Sequence, residues 1–239
     1  MTQFVWTYWH AGAKEDELRW SIRSVRSCCE VSKITVVGDR APWYKGHLIH
    51  KPKIPETKDH NSNDVISKIE TISNHPEIDE TFVWMMDDIY FLNRCTLEEL
   101  EISRASFEHV SLANLTHKKW KSLKKNTNLA LSEKGYSTYD YATHLPHVIS
   151  KEKLRKVFSE FNVKFPYLWE VLYGNMFRST PIDCLPFLHR QSAPVTLQDL
   201  ARACENSVVL NHGNRKGWTL ELREWLQNRY PEKAQEEME

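Results

Sequence analysis

The chain has 239 residues, and its 32 Lys and Arg balance 32 Asp and Glu. That neutrality gives it no global pull toward nucleic acid or anionic membrane. With 41% hydrophobic residues it can build the core of one large domain, yet no stretch is apolar over the roughly 20 residues of a membrane span.

From the N-terminus, strand and helix signals alternate. Residues 4–9 form a short apolar, β-branched run that predicts a strand. A helix over 15–28 follows, because Leu18, Ile22, Val25 and Cys29 recur at helical spacing and Glu15, Asp16 and Glu17 suit the dipole of its first turn. Residues 33–37 predict a strand and 46–50 a weaker one. Residues 62–74 predict a helix with Val65, Ile69 and Ile72 on one side. The next apolar run, from Thr81 to Phe91, carries Asp87 and Asp88 inside it. This order predicts a doubly wound α/β sheet. The second part is mainly helical, with helices expected over 96–106, 116–131, 150–161, 166–177 and 216–228. Strand signals lie at 110–115 and 207–210, and the polar tail 232–239 reads as frayed. We expect residues 1–95 to form an α/β nucleotide-binding part and 96–239 to complete the same domain. The start, Met1-Thr2-Gln3-Phe4-Val5-Trp6, lacks the basic-then-apolar order of a signal peptide. The cysteines (Cys28, Cys29, Cys95, Cys184, Cys204) are odd in number without metal-type spacing, and the expectation is a reducing, cytoplasmic setting.

The paired carboxylates carry the most chemistry. A strand that delivers Asp87 and Asp88 to its carboxyl end puts two hard oxygen ligands at the rim where open α/β sheets bind ligands. Side by side they repel, which invites a divalent cation, Mg²⁺ or Mn²⁺, bearing a nucleotide diphosphate. The plain alternative is a turn. Arg19 and Arg23, one helical turn apart, read either as a solvated face or as a guanidinium pair for phosphate. Asp39 ends a strand and suits a ribose or a turn. Asn61 and Asn63 suit a sugar hydroxyl or a helix cap. Arg178 suits a phosphate or a helix C-terminus. His144 and His147 flank Pro146 in a segment read as extended, which splays them to opposite faces, so one acts as base or phosphate contact while the other packs. Lys118, Lys119, Trp120, Lys121, Lys124 and Lys125 combine charge with a stacking ring. Such a cluster suits a polyanionic acceptor, against the plain reading of a solvated helix.

Several of these segments, in order, resemble the Stealth proteins, capsular-polysaccharide sugar-phosphotransferases related to the lysosomal enzyme GlcNAc-1-phosphotransferase. The resemblance rests on Asp16-Glu17-Leu18-Arg19-Trp20-Ser21-Ile22-Arg23-Ser24-Val25, on residues 33–39 with Pro42-Trp43, and on Asn61-Ser62. It continues through Phe82 to Phe91 and Thr143-His144-Leu145-Pro146-His147, then more weakly through Asn211 and residues 224–232. The chain departs from the family where Trp6-Thr7-Tyr8-Trp9-His10-Ala11-Gly12 lacks an Asp, where Met86 replaces an Asn, and where Glu70 falls one turn late.

The resemblance implies a GT-A-like mixed sheet with a mainly helical C-terminal half and a metal-dependent transferase that uses a nucleotide-sugar donor. It implies Asp87 and Asp88 at the metal, and Trp6, Arg19, Arg23, Asp39, Asn61, Asn63 and Asn211 at the donor. Asp88, His144, His147 and Arg178 would serve catalysis. The resemblance implies a glycan or polysaccharide acceptor; the lysine cluster adds, as an alternative, DNA carrying a hydroxymethylated base. Either a sugar phosphate or a sugar is transferred. The remaining alternative is a non-catalytic glycan- or nucleic-acid-binding module.

Overall fold

The computed structural model describes residues 1–13, 16–54, 62–107, 118–161, 167–185, 187–190, 196–212 and 217–238. The first stretch of elements is β1 (Thr2–Tyr8), α1 (Glu17–Cys28), β2 (Val31–Gly38), β3 (His47–His50), α2 (Ser62–Asn74), β4 (Thr81–Met85) and β5 (Ile89–Phe91). Then come α3 (Leu97–Glu101), β6 (Arg104–Ala105), α4 (Lys118–Glu133), β7 (His147–Ser150), α5 (Lys151–Glu160) and α6 (Trp169–Phe177). The chain closes with β8 (Ile182–Asp183), β9 (Leu188–Arg190), α7 (Leu197–Asn206), β10 (Val209–Asn211) and α8 (Leu220–Arg229).

The central sheet has the order β3-β2-β1-β4-β7. Its first four strands run parallel, and β7 runs antiparallel to β4, with Trp84 opposite His147. β1 is buried on both faces, which is why its sequence is a continuous apolar run. Val5 packs with Ile69, Phe82 and Trp84 in one core. Phe4, Trp6 and Tyr8 pack with Leu18, Ile22 and Val25 of α1 in the core on the other face. A third cluster joins Trp20, Tyr90, Leu210, Leu222 and Leu226, tying α1 to β5, β10 and α8.

Gly38 is required where β2 ends. Its φ is +144°, and a Cβ there would lie 1.9 Å from the carbonyl oxygen of Tyr8. The chain leaves β2 at this point beside the end of β1.

The expected strand through residues 81–91 is two strands in two sheets. β4 stops at Met85, and β5 pairs antiparallel with β10 in the order β5-β10-β9. Ser21 fixes the break: its Oγ accepts from Trp6 Nε1 (3.0 Å) and donates to the carbonyl of Ile89 (2.7 Å). The expected helix over 96–106 is also shorter. A capping box of Thr96 and Glu99 starts α3, but the chain then extends so that Arg104 and Ala105 pair with Ile182 and Asp183. α7 was not anticipated, although Thr196 and Asp199 form a capping box at its start. The tail is not frayed. Ala234, Glu236 and Glu237 are buried, and Met238 N–H donates to the Trp43 carbonyl (2.8 Å). The strand signal at 110–115 falls outside the described residues.

Candidate functional site

After β1, α1, β2 and β3, the chain crosses back through α2 to β4, on the other side of β1. The order therefore reverses between β1 and β4, and ligands of open α/β sheets bind at the carboxyl ends of strands at such a point. A cavity of about 490 Å³ lies there. That is within the roughly 300–1,000 Å³ of small-molecule sites. Thr7 and Tyr8 of β1, Trp84 of β4 and Asp87 beyond it line one side; Trp120, Tyr167, Trp169 and Glu170 line another, with His144 and His147 between.

Asp87 and Asp88 occupy the turn between β4 and β5. The Asp88 carbonyl accepts from Asn211 Nδ2 (3.1 Å), so β10 pins the turn. Asp88 Oδ2 lies 3.7 Å from His144 Nδ1. Among the described residues, Asp88 Oδ1 and Asn211 Oδ1 are buried without a hydrogen-bond partner. Behind them His212 Nε2 lies 3.2 Å from Glu17, and Tyr90 stacks on the His212 ring. Burial, then the charges of Asp88 and Glu17, pushes the Asp87 carboxyl up to about 8. Burial also acts to raise Asp88, but His144, His212 and Asn211 outweigh it and hold Asp88 below the usual carboxylate range. The two carboxyls lie side by side, and a bound cation would favour ionisation of both.

Among the described residues, no group of three or more His, Cys, Asp or Glu is arranged to hold a metal ion by itself. The orphaned Asp88 Oδ1 and the adjacent Asp87 carboxyl fit a cation that takes one or two carboxylates and completes its shell on phosphate. Asp87 and Asp88 would hold it, and its chemistry there would be neutralisation of donor phosphate charge.

The extended reading of the His-Pro segment fails at one residue. His144 has φ +55°, a left-handed conformation, and this turn brings His144 and His147 to the same cavity. His147 is buried and stacked against Trp84 at 17° between ring planes. Burial first, then the Arg178 charge, drives its imidazole well below the ordinary histidine range, so it is neutral.

Other expected residues lie elsewhere. Trp6 is fully buried on Ser21, and this core position keeps it from a donor. Arg23 makes a two-pronged pair with Glu237 (2.6 and 2.8 Å) and donates to the Tyr230 carbonyl. Arg19 lies 3.4 Å from Glu237 and stacks on Trp43. Both arginines thus hold the C-terminal tail and do not line the cavity. Asp39 accepts from the His10 backbone N–H (3.2 Å). Arg178 donates to the Val148 carbonyl (3.3 Å) and lies over Tyr141. Asn63 sits in the first turn of α2, and Asn61 is outside the described residues. Trp120 reaches the cavity, Lys124 pairs with Asp140, and Lys121 and Lys125 are exposed. The side chains of Lys118 and Lys119 are outside what the structure describes.

Three cavity residues had no signal of their own in the sequence. Lys68 is buried with its ammonium 2.6 Å from Asp64, which also accepts from Ile54 N–H (3.0 Å). Their spacing of four on a helix resembles any surface ion pair. Glu170 stands in the first turn of α6, where acids are common. Burial pushes its carboxyl up to about 7.

The fold has a likeness among solved structures. An active-site mutant of LgtC superposes over 98% of this chain and 98% of its own, with a TM-score of 0.53 and 12% identity. The fold is GT-A-like. The apo form of the glycosyltransferase GlyE of Streptococcus pneumoniae TIGR4 covers 95% of this chain and 59% of its own, at 12% identity and a TM-score of 0.45. No family model matches the sequence, and no curated protein does. No helix among the described residues is long and apolar enough to cross a membrane.

Proposed function

We propose that this chain is a metal-dependent transferase that takes a sugar or sugar phosphate from a nucleotide-sugar donor to an acceptor hydroxyl. The observation that carries the reading is the carboxylate pair at the switch point, with Asp88 Oδ1 and Asn211 Oδ1 buried and unpartnered at its side. Unsatisfied buried acceptors are costly, so a site that keeps them is built for a ligand. The GT-A-like fold supports a nucleotide-sugar at this rim. Asp87 and Asp88 would hold the cation, Asn211 fixes their turn through the Asp88 carbonyl, and His144 faces Asp88. Most of the rate comes from positioning and from preorganised charge.

The resemblance to Stealth proteins favours transfer of a sugar phosphate, with attack on the donor's β-phosphorus. Transfer of the sugar alone has its attack on the anomeric carbon. The acceptor reaches the wall of Trp120, Tyr167 and Trp169, which suits the flat faces of a glycan. The exposed Lys121 and Lys125 leave room for a polyanionic acceptor beyond it, DNA included. Mass spectrometry of products from a panel of nucleotide sugars and acceptors tests all of this. A nucleoside monophosphate product identifies sugar-phosphate transfer and a diphosphate identifies sugar transfer. Absence of metal-dependent turnover with any donor would overturn the reading in favour of a binding module.

A further inference from the structure

We infer that Glu170 is the general base that takes the proton from the acceptor hydroxyl, in the half of the cavity walled by Trp120, Tyr167 and Trp169. This inference rests on the transferase reading above and adds a catalytic residue to it.

The acceptor oxygen must lose a proton as it forms its new bond, so the cavity needs a base away from the carboxylate pair. The groups lining it can be taken in turn. Asp87 belongs to the cation. Asp64 is held by Lys68 and by the backbone of Ile54. His144 faces the carboxylate pair, with Nδ1 3.7 Å from Asp88 Oδ2, and so lies on the cation side of the proposed site. His147 is neutral but lies sealed against Trp84, and burial makes its imidazole a poor proton acceptor. Glu170 is left. Among the described residues its carboxyl makes no ion pair and bonds only to its own backbone amide, at the first turn of α6.

The fold also holds Glu170 still. Trp169 beside it packs edge-on against Trp84, with ring centroids 4.9 Å apart. Gly174, one turn further on the same face, lets α6 seat directly on the Tyr141 ring; a Cβ there would come within 2.3 Å of that ring. The charged groups that bear on Glu170 are His144, from the turn before β7, and Asp140, itself paired with Lys124 of α4. With burial dominating, the carboxyl is poised near neutrality, where a general base works best.

The step balances. The acceptor O–H bond breaks, and its proton goes to Glu170. The oxygen bonds to the donor's electrophilic centre, either the anomeric carbon or the β-phosphorus. The bond from that centre to the nucleotide-side oxygen breaks, and its electron pair leaves with the nucleotide. Glu170 then releases the proton to solvent.

The test compares wild type with Glu170→Gln, which keeps shape and loses the base. We expect kcat to fall by about 10²–10⁴-fold. Donor KM and the calorimetric binding of Mn²⁺ with uridine diphosphate should be unchanged. The wild-type rate should rise through about pH 7, where this carboxyl titrates, and the residual rate of Glu170→Gln should be flat there. Glu170→Asp, which keeps a carboxyl, should fall between the two, and guards against a fold defect in the Gln variant. A Glu170→Gln enzyme with wild-type kcat and an unchanged pH profile overturns the inference. A wild-type protein that turns over no nucleotide sugar instead defeats the transferase reading, and the role of Glu170 falls with it.

Discussion

The two walls of the cavity are built on opposite plans. Asp87 lines one, and beside it Asp88 and Asn211 hold two buried oxygens without hydrogen-bond partners among the described residues. On the other, the aromatic side chains of Trp120, Tyr167 and Trp169 lie with the carboxyl of Glu170. The first wall stores electrostatic demand that a cation and phosphates can meet. The second is largely apolar, and an apolar surround strengthens whatever charge acts beside it. Under the proposed function, donor activation and acceptor placement would belong to separate elements, the first to the β4–β5 turn with β10 and the second to α4 and α6.

Asp88→Asn breaks the contrast most severely. It removes the charge while keeping the shape, and turnover should drop by about 10³-fold, the scale for losing a preorganised electrostatic group. A melting temperature close to wild type would show that the loss is chemical. The expected outcome is measured by initial rates with saturating Mn²⁺ and donor.

Arg23→Ala sharpens the contrast from outside it. Arg23 was a donor-phosphate candidate, but its partners are Glu237 and the Tyr230 carbonyl. Removing it strands a buried Glu237, and stability should fall by about 3–5 kcal/mol in a denaturant titration. Donor affinity of the folded fraction should stay the same. Loss of affinity without loss of stability would return Arg23 to the donor wall.

The acceptor wall also leaves a mark on stability. Burial raises the folded Glu170 carboxyl from 4.5 to about 7. In that window the folded protein keeps a proton that the unfolded chain has lost, so stability falls as pH rises. Glu170→Gln should remove this part of the slope, read from urea midpoints between about pH 4.5 and 7. A slope that is the same in both proteins would mean the carboxyl ionises as freely in the fold as out of it.

The smallest effect concerns the basic helix. Lys124 is taken by Asp140, which leaves Lys121 and Lys125 exposed. Changing both to Gln should flatten the log–log salt dependence of polyanionic acceptor binding by about 0.7–0.9 for each phosphate that is no longer neutralised. Donor binding should not move. An unaltered salt slope would leave this face merely solvated.

The sheet half was largely legible because its signals are local. Apolar runs gave β1, β2 and β4, and helical spacing of Leu18, Ile22 and Val25 gave α1. α2 fell on its expected bounds. What sequence could not show was decided by distant partners. β5 left the β4 strand for Asn211, over a hundred residues away, and the tail was ordered by Arg23 and Arg19. The site was half legible for the same reason. Asp87, Asp88, His144, His147 and Trp120 were named from motif and composition and do line or adjoin the cavity. The joint approach of the two histidines depended on a left-handed φ at His144, a conformation uncommon for histidine and invisible to spacing rules. Glu170 carried no motif, since the burial that chiefly raises its carboxyl depends on the folded cavity.

The central claim is that the Asp87–Asp88 wall holds a cation that in turn holds a nucleotide sugar. Isothermal calorimetry of wild type and Asp88→Asn with a nucleotide sugar, with and without Mn²⁺, tests it most directly. The account predicts binding to wild type that requires Mn²⁺ and is lost in the variant at unchanged melting temperature. Equal, metal-independent binding to both proteins would contradict it.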